Sequence, residues 1–284
     1  MSNLQFHIET SPGYGTKQGI MPRFYLQLKE LCDFINTPTF IQVVPEKFLK
    51  VIIPELANFY DVNNNLRATI KEFLEGVKDG TLYKVSEDGS TSFSKTKEFE
   101  IANLTKDFFI RGKILLVKYF KGDIVVDGDF KLSPYYFCND TKFDIKFSQY
   151  NSGKNQKYLP LLNVLKTARL TFLNDFTKIR DAFEHEGFEL DRFTLNPNDN
   201  ITTLIEPNFQ GDILSNKIAF YYDKILELIE KITVYFAGIN CEELNSVYKL
   251  YKTANPDYSN LIYGYRYRIM EMPFVFETVR CEYN

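Results

Sequence analysis

"YLPLLNVLKTARLTFLNDFTKIRDAFEHEG", residues 158–187, carries the strongest periodic signal in the chain. Its apolar residues recur at spacings of three and four, at Leu161, Leu165, Ala168, Phe172, Phe176, Ile179 and Phe183. This is the period of an α-helix with one apolar face. The stretch therefore predicts a long amphipathic helix over 158–186, with Gly187 at its end.

Three further stretches repeat this pattern and predict helices over 64–80, 97–121 and 212–237. The last has the clearest stripe, formed by Leu214, Ile218, Tyr221, Ile225, Leu228 and Ile232 and closed by Gly238. We expect these four helices to form one bundle with their apolar stripes facing inward, so the fold class is mainly α. The first 63 residues predict a helical extension, with a short helix over 22–36 and another that Pro54 kinks or divides.

Two stretches interrupt the helical period. Residues 123–157 are rich in Gly, Pro and Asn and alternate apolar with polar at "FDIKF", so they predict an irregular or partly extended insertion. Residues 261–276, "LIYGYRYRIMEMPFVF", alternate and predict a strand or a short extended arm. We expect an N-terminal extension (1–63) packed on the core, the bundle (64–240), and a C-terminal helix and arm (241–284), in one compact unit.

Composition excludes several classes of protein. The chain has 284 residues, 44% of them hydrophobic, and a net charge of −3, which argues against coating nucleic acid through bulk positive potential. Four scattered cysteines without a CxxC pair and an N-terminus unlike a signal peptide indicate reduced thiols in a cytoplasm. No run approaches 18 apolar residues, so we expect no membrane span. Two histidines and dispersed thiols offer no metal-ligand cluster, and we expect no cofactor.

One of the two histidines lies at the end of the long helix, beside other charged residues. Asp181 precedes His185 by four positions and can reach it on a helical face, which would favour the imidazolium and fix its orientation. Arg180 precedes His185 by five, roughly 140° around an ideal helix, so these two do not converge on their own. A left-handed turn at Gly187 or pairing of two chains about a two-fold axis would bring them together.

The motif resembles the signature of the HEPN-domain superfamily. That signature is an arginine and a histidine separated by four to six residues, near the end of a long core helix. The first of the intervening residues is polar. This chain has Arg180, Asp181 and His185, with the Arg-x4-His spacing. The resemblance extends over 64–238, where the expected bundle of four amphipathic helices is present, and it implies a HEPN-like helical bundle.

The resemblance also implies an activity, which is metal-independent cleavage of RNA by a homodimer whose two motifs line one cleft. Arg180 and His185 would be catalytic, and Asp181 would orient the histidine or bind ribose. The family's settings are toxin–antitoxin systems and antiphage defence, so an antitoxin or regulatory protein is an expected partner. Relatives paired with a nucleotidyltransferase antitoxin often carry tyrosine two residues after the histidine, where this chain has Gly187.

Plainer alternatives remain open. Arg180 and His185 are also cations favourably placed at the negative end of a helix, in a catalytically silent protein that binds a protein partner or a nucleotide. In "YGYRYR", the residues Tyr265, Arg266, Tyr267 and Arg268 could stack on bases and contact phosphates of RNA. Alternating aromatic residues on a half-buried strand explain the same pattern.

Overall fold

The computed structural model describes residues 48–85, 87–88, 91–121, 126–127, 130–131, 140–150, 158–187, 189–196, 203–243, 248–253, 267–271 and 278–280. Helices make up most of these residues, which confirms the mainly α class. Two compact units are present: a helical unit, Lys47–Asp123 with Leu132–Ile229, and a strand unit, Met1–Glu46, Ile124–Lys131 and Glu230–Asn284. The expected helix over 22–36 lies outside the described residues.

The first described helix is longer than we expected. A π-helical turn, π1 (Phe48–Ile52), leads into α1 (Ile53–Lys78), and Pro54 stands in the first turn of α1, where a missing N–H costs nothing. The helix that we predicted over 64–80 therefore begins at Ile53. Asn63 lies inside α1 and is only 1% exposed, so packing against the core outweighs the weak helix propensity of asparagine.

A short hairpin joins α1 to the next helix. Strands β1 (Tyr83–Val85) and β2 (Thr91–Phe93) pair antiparallel, and α2 (Lys95–Lys121) follows close to the expected bounds. Two ion pairs link α2 to α1: the ammonium of Lys97 lies 2.9 Å from Glu72, and Lys118 is paired with Glu55. Because these pairs match late residues of one helix with early residues of the other, α1 and α2 run antiparallel.

The part of the insertion at 123–157 that the structure describes is more regular than we expected. It contains a hairpin of β3 (Val126–Asp127) and β4 (Phe130–Lys131), followed by α3 (Asp140–Tyr150). The residues of "FDIKF" are helical, so their reading as an extended segment was wrong. In α3, Phe143 is 3% exposed and Ile145 is 52% exposed, since residues two apart lie on opposite sides of a helix. The guanidinium of Arg169 lies 4.8 Å from the Phe143 ring centre.

The long helix over 158–186 is confirmed, and its interior is not uniform. Residue 158 has a 3₁₀ conformation, after which α4 (Leu159–Ala168), π2 (Arg169–Leu173), α5 (Asn174–Asp181) and π3 (Ala182–Glu186) follow without a break. Each π turn closes a hydrogen bond one residue later than an α turn and shifts the register of the helix.

Two short hairpins separate the long helix from the last helix. Their strands are β5 (Thr194–Asn196), β6 (Thr203–Ile205), β7 (Asn208–Phe209) and β8 (Asp212–Ile213). Helix α6 (Leu214–Glu243) agrees with the predicted start and runs past its predicted end. Gly238 therefore does not close the helix, because a single interior glycine costs only about 1 kcal/mol.

The core of the helical unit is aromatic and joins these helices. Phe109 of α2 packs against rings whose centres lie 4.9–5.8 Å away, those of Phe108, Phe176, Phe183, Phe209 and Tyr221. Phe59 of α1 joins the cluster through Phe108, at 4.9 Å, and Tyr222, at 5.3 Å. The apolar stripes of α1, α2, the long helix and α6 up to residue 229 thus meet in one bundle, as predicted.

The strand unit contains a three-stranded antiparallel sheet. Strand β9 (Tyr248–Thr253) lies in the centre, between β10 (Tyr267–Glu271) and β11 (Thr278–Arg280). The strand expected within 261–276 is thus present at 267–271. The segment after α6 that the structure describes, "YKLYKT", is rich in tyrosine and threonine and forms β9. The helix that we expected after residue 240 stays a prediction, because most of 244–266 lies outside the described residues.

Candidate functional site

The Arg-x4-His motif lies where the long helix leaves the aromatic core. Phe176, Ile179 and Phe183 anchor this end of the helix and are 7% exposed or less. Arg180 follows Ile179 directly, and its side chain is 24% exposed, whereas that of His185 is 69% exposed. The arginine is therefore held at the edge of the core, and the histidine faces solvent.

The helix end is shaped by π3 and by Gly187. Gly187 has the left-handed conformation (φ 65°, ψ 34°), and its N–H donates to the carbonyl oxygen of Ala182, five residues back. The left-handed turn expected at this glycine is thus present. Because a π turn closes on the fifth residue, it brings positions five apart nearer to one face than an α turn does. Residues 182–185 of the step from Arg180 to His185 lie in this π turn, while Arg180 itself lies in α5.

Two carboxylates hold the guanidinium of Arg180. Its Nη1 lies 2.9 Å from Oδ1 of Asp181, and its Nη2 lies 2.6 Å from Oε2 of Glu184. The contact with Asp181 is a charge-assisted hydrogen bond, and the contact with Glu184 is an ion pair. The third nitrogen, Nε, is buried and has no hydrogen-bond partner. The outer edge of the guanidinium, which carries Nη1 and Nη2, is thus the edge that contacts other side chains. Both of these nitrogens are paired with carboxylates.

Glu184 is the residue that brings the arginine and the histidine to one place. Its Oε2, bound to Arg180, lies 3.6 Å from Nε2 of His185. That distance is too long for a good hydrogen bond but short enough for a charged imidazole to be attracted. Arg180 and His185 therefore face the same carboxylate oxygen within a single chain, although an ideal helix would separate them.

Asp181 is not paired with His185, contrary to our expectation, whereas its predicted contact with ribose stays a prediction. It pairs with its neighbour Arg180, and the carboxylate beside His185 belongs to Glu184. A guanidinium is always charged and presents several donors to a carboxylate, which makes the arginine a strong partner for Asp181. Sequence reasoning missed Glu184, although Arg180 and Glu184 have the four-residue spacing of a helical ion pair.

The predicted RNA-contacting residues lie in the other unit. Tyr267 and Arg268 belong to β10 and pair in register with Lys252 and Tyr251 of β9. Tyr265 and Arg266 lie outside the described residues. The structure thus confirms a strand at Tyr267 and Arg268 and leaves their contact with RNA as a prediction.

Within the part of the chain that the structure describes, no three side chains of His, Cys, Asp or Glu are grouped so that they could hold a metal ion. No described helix combines the length and apolar character needed to cross a membrane. Comparison of the chain with protein-family models, with curated proteins and with solved structures gives no match.

Proposed function

We propose that this chain is an endoribonuclease of HEPN type, which cleaves RNA without a metal ion through attack of the ribose 2′-hydroxyl. The observation that carries the proposal is the position of Oε2 of Glu184, 2.6 Å from Arg180 and 3.6 Å from His185. A phosphate oxygen in the same place would meet a fixed cation and a proton carrier together. These are the two kinds of group that such cleavage needs.

The chemistry follows from the two side chains. His185 accepts the proton of the 2′-hydroxyl as the 2′-oxygen forms a bond to phosphorus, and the bond from phosphorus to the 5′-oxygen breaks. The imidazolium then returns the proton to the departing 5′-oxygen. Arg180 offsets the negative charge that gathers on the phosphorane. The products are a 2′,3′-cyclic phosphate and a 5′-hydroxyl, and no water is activated.

The assembly and the biological setting rest on the family resemblance. The proposed enzyme is a homodimer with both motifs in one cleft, acting in a cytoplasm in a toxin–antitoxin system or in antiphage defence. Its partners are an RNA substrate and an antitoxin or regulatory protein. The exposure of His185, at 69% of its side chain, leaves room for a second copy of the chain or for RNA to approach.

Incubation with total RNA in EDTA tests the proposal. Wild-type protein should produce fragments ending in 2′,3′-cyclic phosphate, and His185→Ala should be slower by roughly 10² to 10⁴-fold, the size of one lost proton transfer. Glu186→Ala is the matched control, since Glu186 is the exposed next residue and should change the rate little. Equal cleavage by wild type and His185→Ala would assign the activity to a contaminant.

One observation favours a second candidate, a catalytically silent helical protein that binds a protein partner or a nucleotide. Both outer nitrogens of Arg180 are already paired, with Asp181 and Glu184, as in an arginine that only stabilises a helix end. This candidate predicts no cleavage by any variant, and it predicts loss of unfolding free energy in Arg180→Ala as the main effect of removing the arginine.

A further inference from the structure

The guanidinium of Arg180 can meet an anion along one edge only. Its Nε is buried without a hydrogen-bond partner, and the side chain as a whole is 24% exposed, so its inner edge faces the protein. The outer edge carries Nη1 and Nη2, each of which can donate to a phosphate oxygen. In the structure this edge is filled by Asp181 and Glu184.

The two carboxylates differ in what they cover. Asp181 is 47% exposed and meets Arg180 from the adjacent position. The side chain of Glu184 is 25% exposed, and its Oε2 also faces His185. Glu184 therefore occupies the space between the two groups of the proposed mechanism, whereas Asp181 is paired with the arginine alone.

We propose that Glu184 is an intramolecular occupant of a phosphate-binding site formed by Arg180 and His185. A phosphodiester of single-stranded RNA enters when the Glu184 side chain rotates away, and the glutamate returns when the RNA leaves. With Glu184 in place, two carboxylates face one guanidinium and the net charge repels a phosphate. With Glu184 displaced, the outer edge gains a free nitrogen beside His185. This inference rests on the proposed function for the identity of the ligand.

Binding of a labelled single-stranded DNA oligonucleotide, which lacks the 2′-hydroxyl and cannot be cleaved, isolates the binding step. Glu184→Gln should bind it roughly tenfold more tightly than wild type, since the Arg180–Glu184 contact is mostly shielded and therefore screened less than a surface ion pair. Fluorescence anisotropy at one fixed salt concentration measures the affinity. The double variant Glu184→Gln with Arg180→Ala should lose the gain, because the freed edge is then absent.

Glu186→Gln is the matched control, because it removes the same charge from the same turn. Glu186 is exposed and forms no ion pair with the described residues. Its affinity for the oligonucleotide should stay within about twofold of wild type, as for an exposed charge that touches no ligand. Glu184→Asp is a second variant, in which the shorter side chain keeps its charge, withdraws from Arg180, and should recover part of the gain.

The inference would be overturned if Glu184→Gln bound the oligonucleotide no more tightly than wild type. The absence of binding by both proteins would overturn it as well. An equal gain in Glu186→Gln would also overturn it, since bulk charge would then explain the effect. Parallel assays with RNA separate this inference from the proposed function. Tighter binding without cleavage by any variant refutes the ribonuclease alone. Cleavage that depends on His185, without a gain in Glu184→Gln, refutes the role of Glu184 alone.

Discussion

A side chain at Gly112 would begin 2.6 Å from Cζ of Phe176, which is closer than two carbon atoms can pack. Gly112 lies in α2, and Phe176 lies in α5 of the long helix. The same added carbon would lie 3.0 Å from the ring of Phe59 in α1. The absence of a side chain at Gly112 therefore lets rings from two neighbouring helices approach α2 closely.

Gly112→Ala should destabilise the protein. Alanine is the better helix former, but the added carbon must push two buried rings aside, and overpacking of this kind typically costs about 1–3 kcal/mol. Urea denaturation measures the change in the free energy of unfolding. Asn103→Ala is the control, because Asn103 is exposed on the same helix and should shift stability by less than about 0.5 kcal/mol. A Gly112→Ala protein at least as stable as wild type would contradict this packing.

Truncation of Phe109 should be far more damaging than truncation of Phe99. Both belong to α2, but Phe109 is 0% exposed at the centre of the aromatic cluster and Phe99 is 70% exposed. Phe109→Ala should cost about 3–5 kcal/mol, because it removes buried surface and leaves a cavity. Phe99→Ala should cost less than about 0.5 kcal/mol. Similar losses in the two variants would place the core elsewhere.

The helices could be predicted wherever apolar residues recurred with the helical period. They were missed where burial against distant residues, and not the local pattern, determined the helical conformation. The stripe from Leu161 to Phe183 was sufficient for the long helix. We expected a helix to begin at residue 64 and "FDIKF" to be partly extended, yet Asn63 and "FDIKF" are helical, and Asn63 and Phe143 are buried. Burial against distant residues is not visible in a short window of sequence, so local patterns were misleading at these positions.

The candidate site was predicted in its position and only in part in its contacts. The arginine, the histidine and the left-handed Gly187 were found from residue types and the end of the stripe. We predicted a contact between Asp181 and His185 from their four-residue spacing. Arg180 and Glu184 have the same spacing, and we did not consider their ion pair. The π turn over Ala182–Glu186 has no signal in residue type, because it depends on how the helix end packs.

Alkaline unfolding should involve Tyr221, whose ring packs against Phe109 and Phe176. Burial, reinforced by the negative charge of Asp175, raises the pKa of Tyr221 to about 12. In the unfolded chain a tyrosine titrates near pH 10, so the folded state holds this proton more tightly. The resulting stability is complete below about pH 10 and is lost as the pH rises towards 12, up to about 2–3 kcal/mol.

Tyr221→Phe keeps the ring and removes the ionisable group. The free energy of unfolding of this variant should fall less steeply between about pH 10 and 12 than that of wild type, and near pH 7 the two proteins should be similar. Urea titrations at several pH values give the two slopes. Parallel slopes would show that the Tyr221 hydroxyl does not titrate differently in the folded and unfolded states.

Arginine and lysine should not be interchangeable at position 180. The guanidinium presents Nη1 and Nη2 in one plane, and both nitrogens meet carboxylate oxygens in the structure. A lysine keeps the positive charge and loses this fork, so Arg180→Lys should recover little of the RNA cleavage that Arg180→Ala loses. Asp181→Asn should reduce cleavage less than either, because Asp181 contacts the arginine and its substitution leaves the proton carrier His185 in place.

Initial rates on one defined RNA compare the three variants, and their unfolding temperatures show whether each variant is folded. Full activity in Arg180→Lys would mean that charge alone suffices, and a larger loss in Asp181→Asn than in Arg180→Ala would make the aspartate the catalytic group.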